Sequence, residues 1–183
     1  IQLNADKVPV LLHDATLKRL HGVNESIFES RHPLDTLAQL LEMVDERPEV
    51  LIFIEVKFES IEYWGLETAL EQLLAQLGGA RQRHSVITTS VAFLEAVRQR
   101  GHSRIGCILR DRKPETLATM TRLAPNHLII NHRRIGRAQL WEGPWEWAVY
   151  EVGSARLAQR LATQGADYVI SFDCIALQKA LQA

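Results

Sequence analysis

The segment Leu51-Ile52-Phe53-Ile54-Glu55-Val56-Lys57 sets a carboxylate and an ammonium two residues apart in an otherwise apolar run. A strand buried on both faces of a parallel sheet should be almost entirely apolar. With side chains alternating, Ile52, Ile54 and Val56 share one face, while Phe53, Glu55 and Lys57 share the other. The first face suits contact with helices. The second carries charge, and burying either charge without a partner costs several kcal/mol. A structural ion pair at a strand end would meet that cost. So would a site in which a metal-ligating carboxylate stands beside a phosphate-binding lysine.

A second segment, Val8-Pro9-Val10-Leu11-Leu12-His13-Asp14-Ala15-Thr16-Leu17-Lys18-Arg19, runs from an apolar strand pattern into His-Asp. An imidazole titrating near neutrality can donate a proton to an alkoxide leaving group, which makes His13 a candidate general acid. The bland alternative is a surface histidine capped by its neighbour. Ser90 closes another strand pattern and can hydrogen-bond a substrate, but no neighbour in sequence activates it as a nucleophile. The run Asn131-His132-Arg133-Arg134-Ile135-Gly136-Arg137 follows a predicted strand and suits either an anionic group or plain solvation. Trp141 and Trp145 flank Gly143-Pro144 and read as loop packing, and Cys107, within Ile-Gly-Cys-Ile-Leu, as a small core residue.

Positioning these groups requires a regular frame. Short β-branched runs predict strands over Val8–Leu12, Val50–Val56, Val86–Thr89, Arg104–Leu109, His127–Ile130, Glu146–Val152 and Tyr168–Phe172. Amphipathic stretches between them predict helices over Leu34–Asp45, Tyr63–Leu77, Ala92–Arg100, Pro114–Leu123 and Ser154–Gln164, with a last one over Ile175–Leu181. Asp35 and Ser154 are the expected caps, and Gly78-Gly79, Gly101 and Gly165 the expected stops. Such alternation implies right-handed βαβ units and a parallel sheet. No glycine-rich dinucleotide loop follows the first strand, which favours a TIM-type (β/α) barrel over a doubly wound sheet. A closed barrel typically takes about 250 residues, so 183 are expected to form an incomplete one, read as a single domain over 1–183.

Composition sets the outer limits. Twenty-one Lys and Arg against 22 Asp and Glu give a net charge of −1, which argues against a general nucleic-acid or acidic-membrane binder. With 46% hydrophobic residues the chain is not disordered. Cys107 and Cys174 are too few for a disulfide scaffold and fit no metal knuckle. No apolar run approaches the ~18 residues of a membrane span, and the first residues carry no signal-peptide pattern, so a cytoplasmic location is the expectation.

Val-Pro-Val-x-x-His13-Asp14-x-Thr16-Leu17-x-Arg19, then Thr36-Leu37, then Ile54-Glu55-Val56-Lys57, resembles the glycerophosphodiester phosphodiesterases. The resemblance continues through Val-Ile-Thr-Thr-Ser90, Trp147-Ala-Val-Tyr150 and Gly165-Ala-Asp-Tyr-Val-Ile-Ser171, in the family's order. It implies a TIM-type barrel that hydrolyses glycerophosphodiesters to glycerol 3-phosphate and an alcohol. It further implies a divalent cation, Mg²⁺ or Ca²⁺, with Glu55 as one ligand, Lys57 on the phosphate and His13 as general acid. Trp147 matches a family tryptophan and would wall the glycerol or its alcohol, with core packing as the alternative.

The family's His-Arg pair and its Glu-x-Asp ligands would precede Ile1. The expectation is therefore that the first strand and helix and most of the second strand lie outside these residues, leaving this chain's own activity in question. Two departures stand within it, Tyr150 for Asn and Phe172 for Asp. The alternatives are a degenerate, non-catalytic barrel serving as a binding or structural module, and a related phospholipase D-type enzyme. The expected partner is a small-molecule substrate, without nucleic acid or a membrane span. Exposed strand edges would favour self-association into a homo-oligomer.

Overall fold

The computed structural model describes residues 1–47, 49–78 and 84–182, which divide into two compact units, Ile1–Ile105 and Gly106–Ala183. The expected helix stop at Gly79 lies outside the described residues. The first unit opens with two short strands, β1 (Gln2–Leu3) and β2 (Pro9–Val10), paired antiparallel. The Val8–Leu12 segment is therefore not a barrel strand. Its pairing ends after two residues, and Leu11 N instead donates to Asp35 O at 2.8 Å.

Beyond β2 the chain folds over a small cluster of Val10, Leu12, Leu17 and Ile27, with Phe28 and Leu34 packed against it. Leu17 and Ile27 are fully buried, a contribution of about 1.5–3 kcal/mol each. They fix a stretch that has only one helical turn of its own, α1 (Lys18–His21). Helix α2 (Leu37–Asp45) starts at Thr36 rather than Asp35. There a capping box forms: Thr36 Oγ1 accepts from Gln39 N at 3.2 Å, and Thr36 N donates to Gln39 Oε1 at 2.8 Å.

Strand β3 (Ile52–Glu55) pairs in parallel with β4 (His84–Thr88). Between them the single helix expected over Tyr63–Leu77 is two, α3 (Phe58–Trp64) and α4 (Leu66–Leu77). Gly65, at φ +80°, turns the chain where a side chain would be strained. Helix α5 (Val91–Gln99) follows β4, with Ser90 capping it by accepting from Phe93 N at 3.3 Å. This unit's core lies under these helices, through Leu70, Leu73, Leu77, Phe93, Leu94 and Val97.

At the junction of the units runs β5 (Ile105–Leu109). The second unit continues with β6 (His127–Asn131), β7 (Glu146–Tyr150) and β8 (Tyr168–Ile170), each parallel to the strand before it. The apolar centres of β6 and β7 are buried, as a two-sided parallel sheet requires. Helices α6 (Pro114–Leu123), α7 (Ala155–Thr163) and α8 (Cys174–Gln182) alternate with the strands, and a single 3₁₀ turn (His132–Arg134) stands after β6. Pro114 opens α6 at the position where a missing N–H is harmless, and Ser154 caps α7.

The six strands β3–β8 are thus parallel and follow chain order, the arrangement of a TIM-type barrel wall that in a closed barrel has eight. No described helix is long and apolar enough to cross a membrane.

Candidate functional site

Glu55 is the last residue of β3 and Lys57 sits just beyond it, at the strand end where barrel enzymes hold their reactive groups. Their side chains meet, with Lys57 Nζ 2.7 Å from Glu55 Oε1. The Lys57 side chain is only 12% exposed and that of Glu55 36%. Alternation brings the two to one face of the strand, and the partly buried ammonium keeps its counter-ion. Backbone bonds continue the arrangement: Ile1 N donates to Glu55 O, and Lys57 N donates to Ile1 O at 3.1 Å.

Gln2, fully buried, links this strand end to the histidine. Its Nε2 donates to the backbone carbonyl of His13 at 3.4 Å, and its Oε1 accepts from Ser60 Oγ at 2.5 Å. Ser60 in turn accepts from Leu3 N at 2.9 Å. Neither Gln2 nor Ser60 carries a sequence signal. A lone Gln and a Ser inside a helix pattern look like surface residues until the fold buries both.

His13 lies in the loop between buried Leu12 and Leu17, with its side chain 69% exposed. Its Nδ1 is 2.7 Å from Asp14 Oδ1, while Arg19 Nε donates to Asp14 Oδ2. The Arg19 hydrogen bond, and after it that of His13, holds the Asp14 carboxyl below the usual carboxylate range. An ionised Asp14 can accept from Nδ1–H, a contact that fixes the ring relative to the carboxylate. The His13-Asp14-x-x-x-x-Arg19 spacing is thus one interacting unit, with the carboxylate between the imidazole and the guanidinium.

Metal binding is less well provided for. Among the described residues no group of three or more His, Cys, Asp or Glu could hold an ion. Glu55 offers a single carboxylate, one of whose two oxygens is bonded to Lys57, where a divalent cation asks for six or more oxygen ligands. The residues present do not make a complete cation site.

Trp147 belongs to the second unit, near the start of β7 rather than its far end, and is 2% exposed. Its Nε1 donates to Trp141 O at 2.9 Å, as Trp145 Nε1 does at 3.2 Å. The three indoles line a cavity of about 430 Å³ together with Leu140, Gln164 and Asp167. The expected loop packing of Trp141 and Trp145 is met by a shared carbonyl. Cys107 is buried, and desolvation pushes its thiol up to about 12.

No family profile and no curated protein matches the sequence. Solved structures do match the fold. A phosphodiesterase of Oleispira antarctica, in complex with the product sn-glycerol 3-phosphate, superposes with a TM-score of 0.81 at 15% identity, over 100% of this chain and 83% of that one. A glycerophosphodiester phosphodiesterase of Parabacteroides distasonis gives 0.77 at 16% identity, over 99% and 81% of the two chains. One from Agrobacterium tumefaciens gives 0.70 at 16%, over 93% and 80%. Across its whole length, then, this chain has the TIM-barrel-type fold of the glycerophosphodiester phosphodiesterases, with six parallel strands of it in place.

Proposed function

We propose that the chain acts on glycerophosphodiesters, hydrolysing them to glycerol 3-phosphate and an alcohol. The observation that carries this reading is the Lys57–Glu55 pair at the end of β3, 2.7 Å apart with the ammonium nearly enclosed. A fixed cation at a barrel strand end is placed to offset charge on the phosphoryl oxygens as it builds in the transition state. The alcohol oxygen leaves phosphorus as the oxygen of water bonds to it. His13, in its doubly protonated form, gives its Nε2 proton to the departing alkoxide, and the proton shed by the attacking water passes to bulk water, from which the ring is reprotonated. Asp14 keeps that ring oriented through Nδ1.

Glu55 is the single carboxylate here that Mg²⁺ or Ca²⁺ could use, and no step is routed through the ion. Trp147, near the start of β7 in the second unit with its Nε1 on Trp141 O, is not assigned to this site. The product seen in the Oleispira antarctica relative supports glycerol 3-phosphate as the fragment held. A second reading, a barrel that binds such a ligand without turning it over, is favoured by the lack of a three-donor metal group among the described residues.

Calorimetric titration with glycerol 3-phosphate, alongside turnover of glycerophosphocholine with Mg²⁺ or Ca²⁺, tests both readings. Lys57→Met should weaken glycerol 3-phosphate roughly tenfold to a hundredfold, the worth of a charge-assisted hydrogen bond. His13→Ala should keep binding and lose turnover. Binding by the parent chain without turnover selects the second reading. A parent chain that neither binds nor hydrolyses refutes both.

A further inference from the structure

We propose that the edge of the second unit formed by the C-terminal ends of its strands docks onto an anionic phospholipid surface. The net charge of −1 hides a steep asymmetry. The two short loops 110–113 and 131–134 hold five of the 21 Lys and Arg but one of the 22 Asp and Glu, so the rest of the chain is net negative. Both loops leave parallel neighbouring strands at the same end, because Leu109 of β5 stands opposite Ile130 of β6. Arg110, Lys113, Arg133 and Arg134 are exposed there, and His132 is half-buried.

The loops are built to hold these cations together. Asn131 Oδ1 accepts from Arg133 N at 2.9 Å and caps the 3₁₀ turn, and Ile135 is buried behind it. Arg134 reaches across to donate to Arg110 O. Holding like charges side by side costs stability that an anionic surface would return.

A second feature of the same edge points to lipid. In register Asn131 stands opposite Tyr150, and Tyr150 opposite Ile170, so the end of β8 belongs to this edge. Three strand spacings make it about 15 Å long. Just past Ile170, Phe172 is 97% exposed, and Ile175 on the first turn of α8 is 65% exposed. Three acids stand nearby and each is engaged: Asp111 lies 3.7 Å from Lys113, Glu151 lies 3.7 Å from Arg133, and Asp173 Oδ1 caps α8 by accepting from Ala176 N at 2.9 Å. Exposed arginines beside an exposed aromatic and an aliphatic side chain suit a membrane interface, where cations meet head groups and apolar side chains enter the acyl boundary.

Flotation of the full chain with phosphatidylcholine vesicles, against vesicles equimolar in phosphatidylcholine and phosphatidylserine, tests the proposal. Binding should require the anionic lipid and fall steeply with salt. Arg110→Glu with Arg133→Glu should weaken it at least tenfold, two charges near an anionic surface being worth that much. Phe172→Ser should weaken what binding remains at high salt, while both variants keep the parent melting temperature. Should the variants fail to fold, the lipid and salt dependence of the parent chain still decides. Equal binding to both vesicle types, or none, overturns the proposal. So does tight binding of a single-stranded oligonucleotide with no preference for phosphatidylserine. Concentration-dependent dimers lost in Phe172→Ser, without vesicle binding, would give this edge to a second copy and equally overturn it.

Discussion

Ser60→Ala probes the bond network that ties the N-terminal strand to the candidate site. Ser60 Oγ is fully buried and bonded twice, accepting from Leu3 N at 2.9 Å and donating to Gln2 Oε1 at 2.5 Å. Removing the hydroxyl strands a buried donor and a buried acceptor, each costing about 1–3 kcal/mol. Partial relaxation sets the expected loss at about 2–4 kcal/mol, a fall in Tm of roughly 5–15 °C for a chain of this size. Thr119→Ala, which removes an exposed hydroxyl bonded to Glu115 O, should stay within about 0.5 kcal/mol. Thermal melts and urea titrations followed by circular dichroism give both numbers. The double variant Gln2→Leu with Ser60→Ala should lose less than the sum of its parts, because removing both partners leaves fewer orphaned groups. A loss below about 1 kcal/mol for Ser60→Ala, or strictly additive singles, would refute the reasoning.

Three further outcomes can be checked with modest effort. Thr36→Ala removes the capping box of α2 and should cost about 1 kcal/mol, read as a drop of roughly 2–4 °C in Tm. Asp14 has its carboxyl lowered in the folded state by Arg19 and then His13, so its contribution is present above the unfolded carboxylate value and is lost as pH falls through the lowered one. Asp14→Asn should therefore flatten the stability profile below about pH 4, in melts run across the acid range. Of the two thiols, exposed Cys174 should react with Ellman's reagent in the folded protein while Cys107, buried and pushed up to about 12, stays silent until denaturant is added.

The alternation of β-branched and amphipathic runs carried the parallel α/β order, because a strand that is apolar on both faces has few other places to go. Pro114–Leu123 came out to the residue, since proline at its start and an apolar stripe along it are both local signals. The Glu55–Lys57 pair was also legible, as charge inside an apolar strand demands a partner and alternation supplied one two residues away. Local reasoning failed where its signal was outcompeted. Gly65 split one amphipathic stretch into α3 and α4 by taking a positive φ. Thr36 displaced Asp35 as a cap because Gln39 completes the reciprocal bonds.

The sequence by itself determined the periodicities, the chemical types on each strand end and the His-Asp-Arg spacing, all of which depend on residues close in the chain. Only the tertiary structure decided which polar groups became buried, as with Gln2 and Ser60, whose shared bond spans 58 residues. It also decided that Pro9–Val10 pairs with β1 instead of joining the barrel wall, and that cations from two loops gather at one edge. Such outcomes follow from which elements come to lie side by side, and loop closure, burial and register settle that across distances no local pattern encodes.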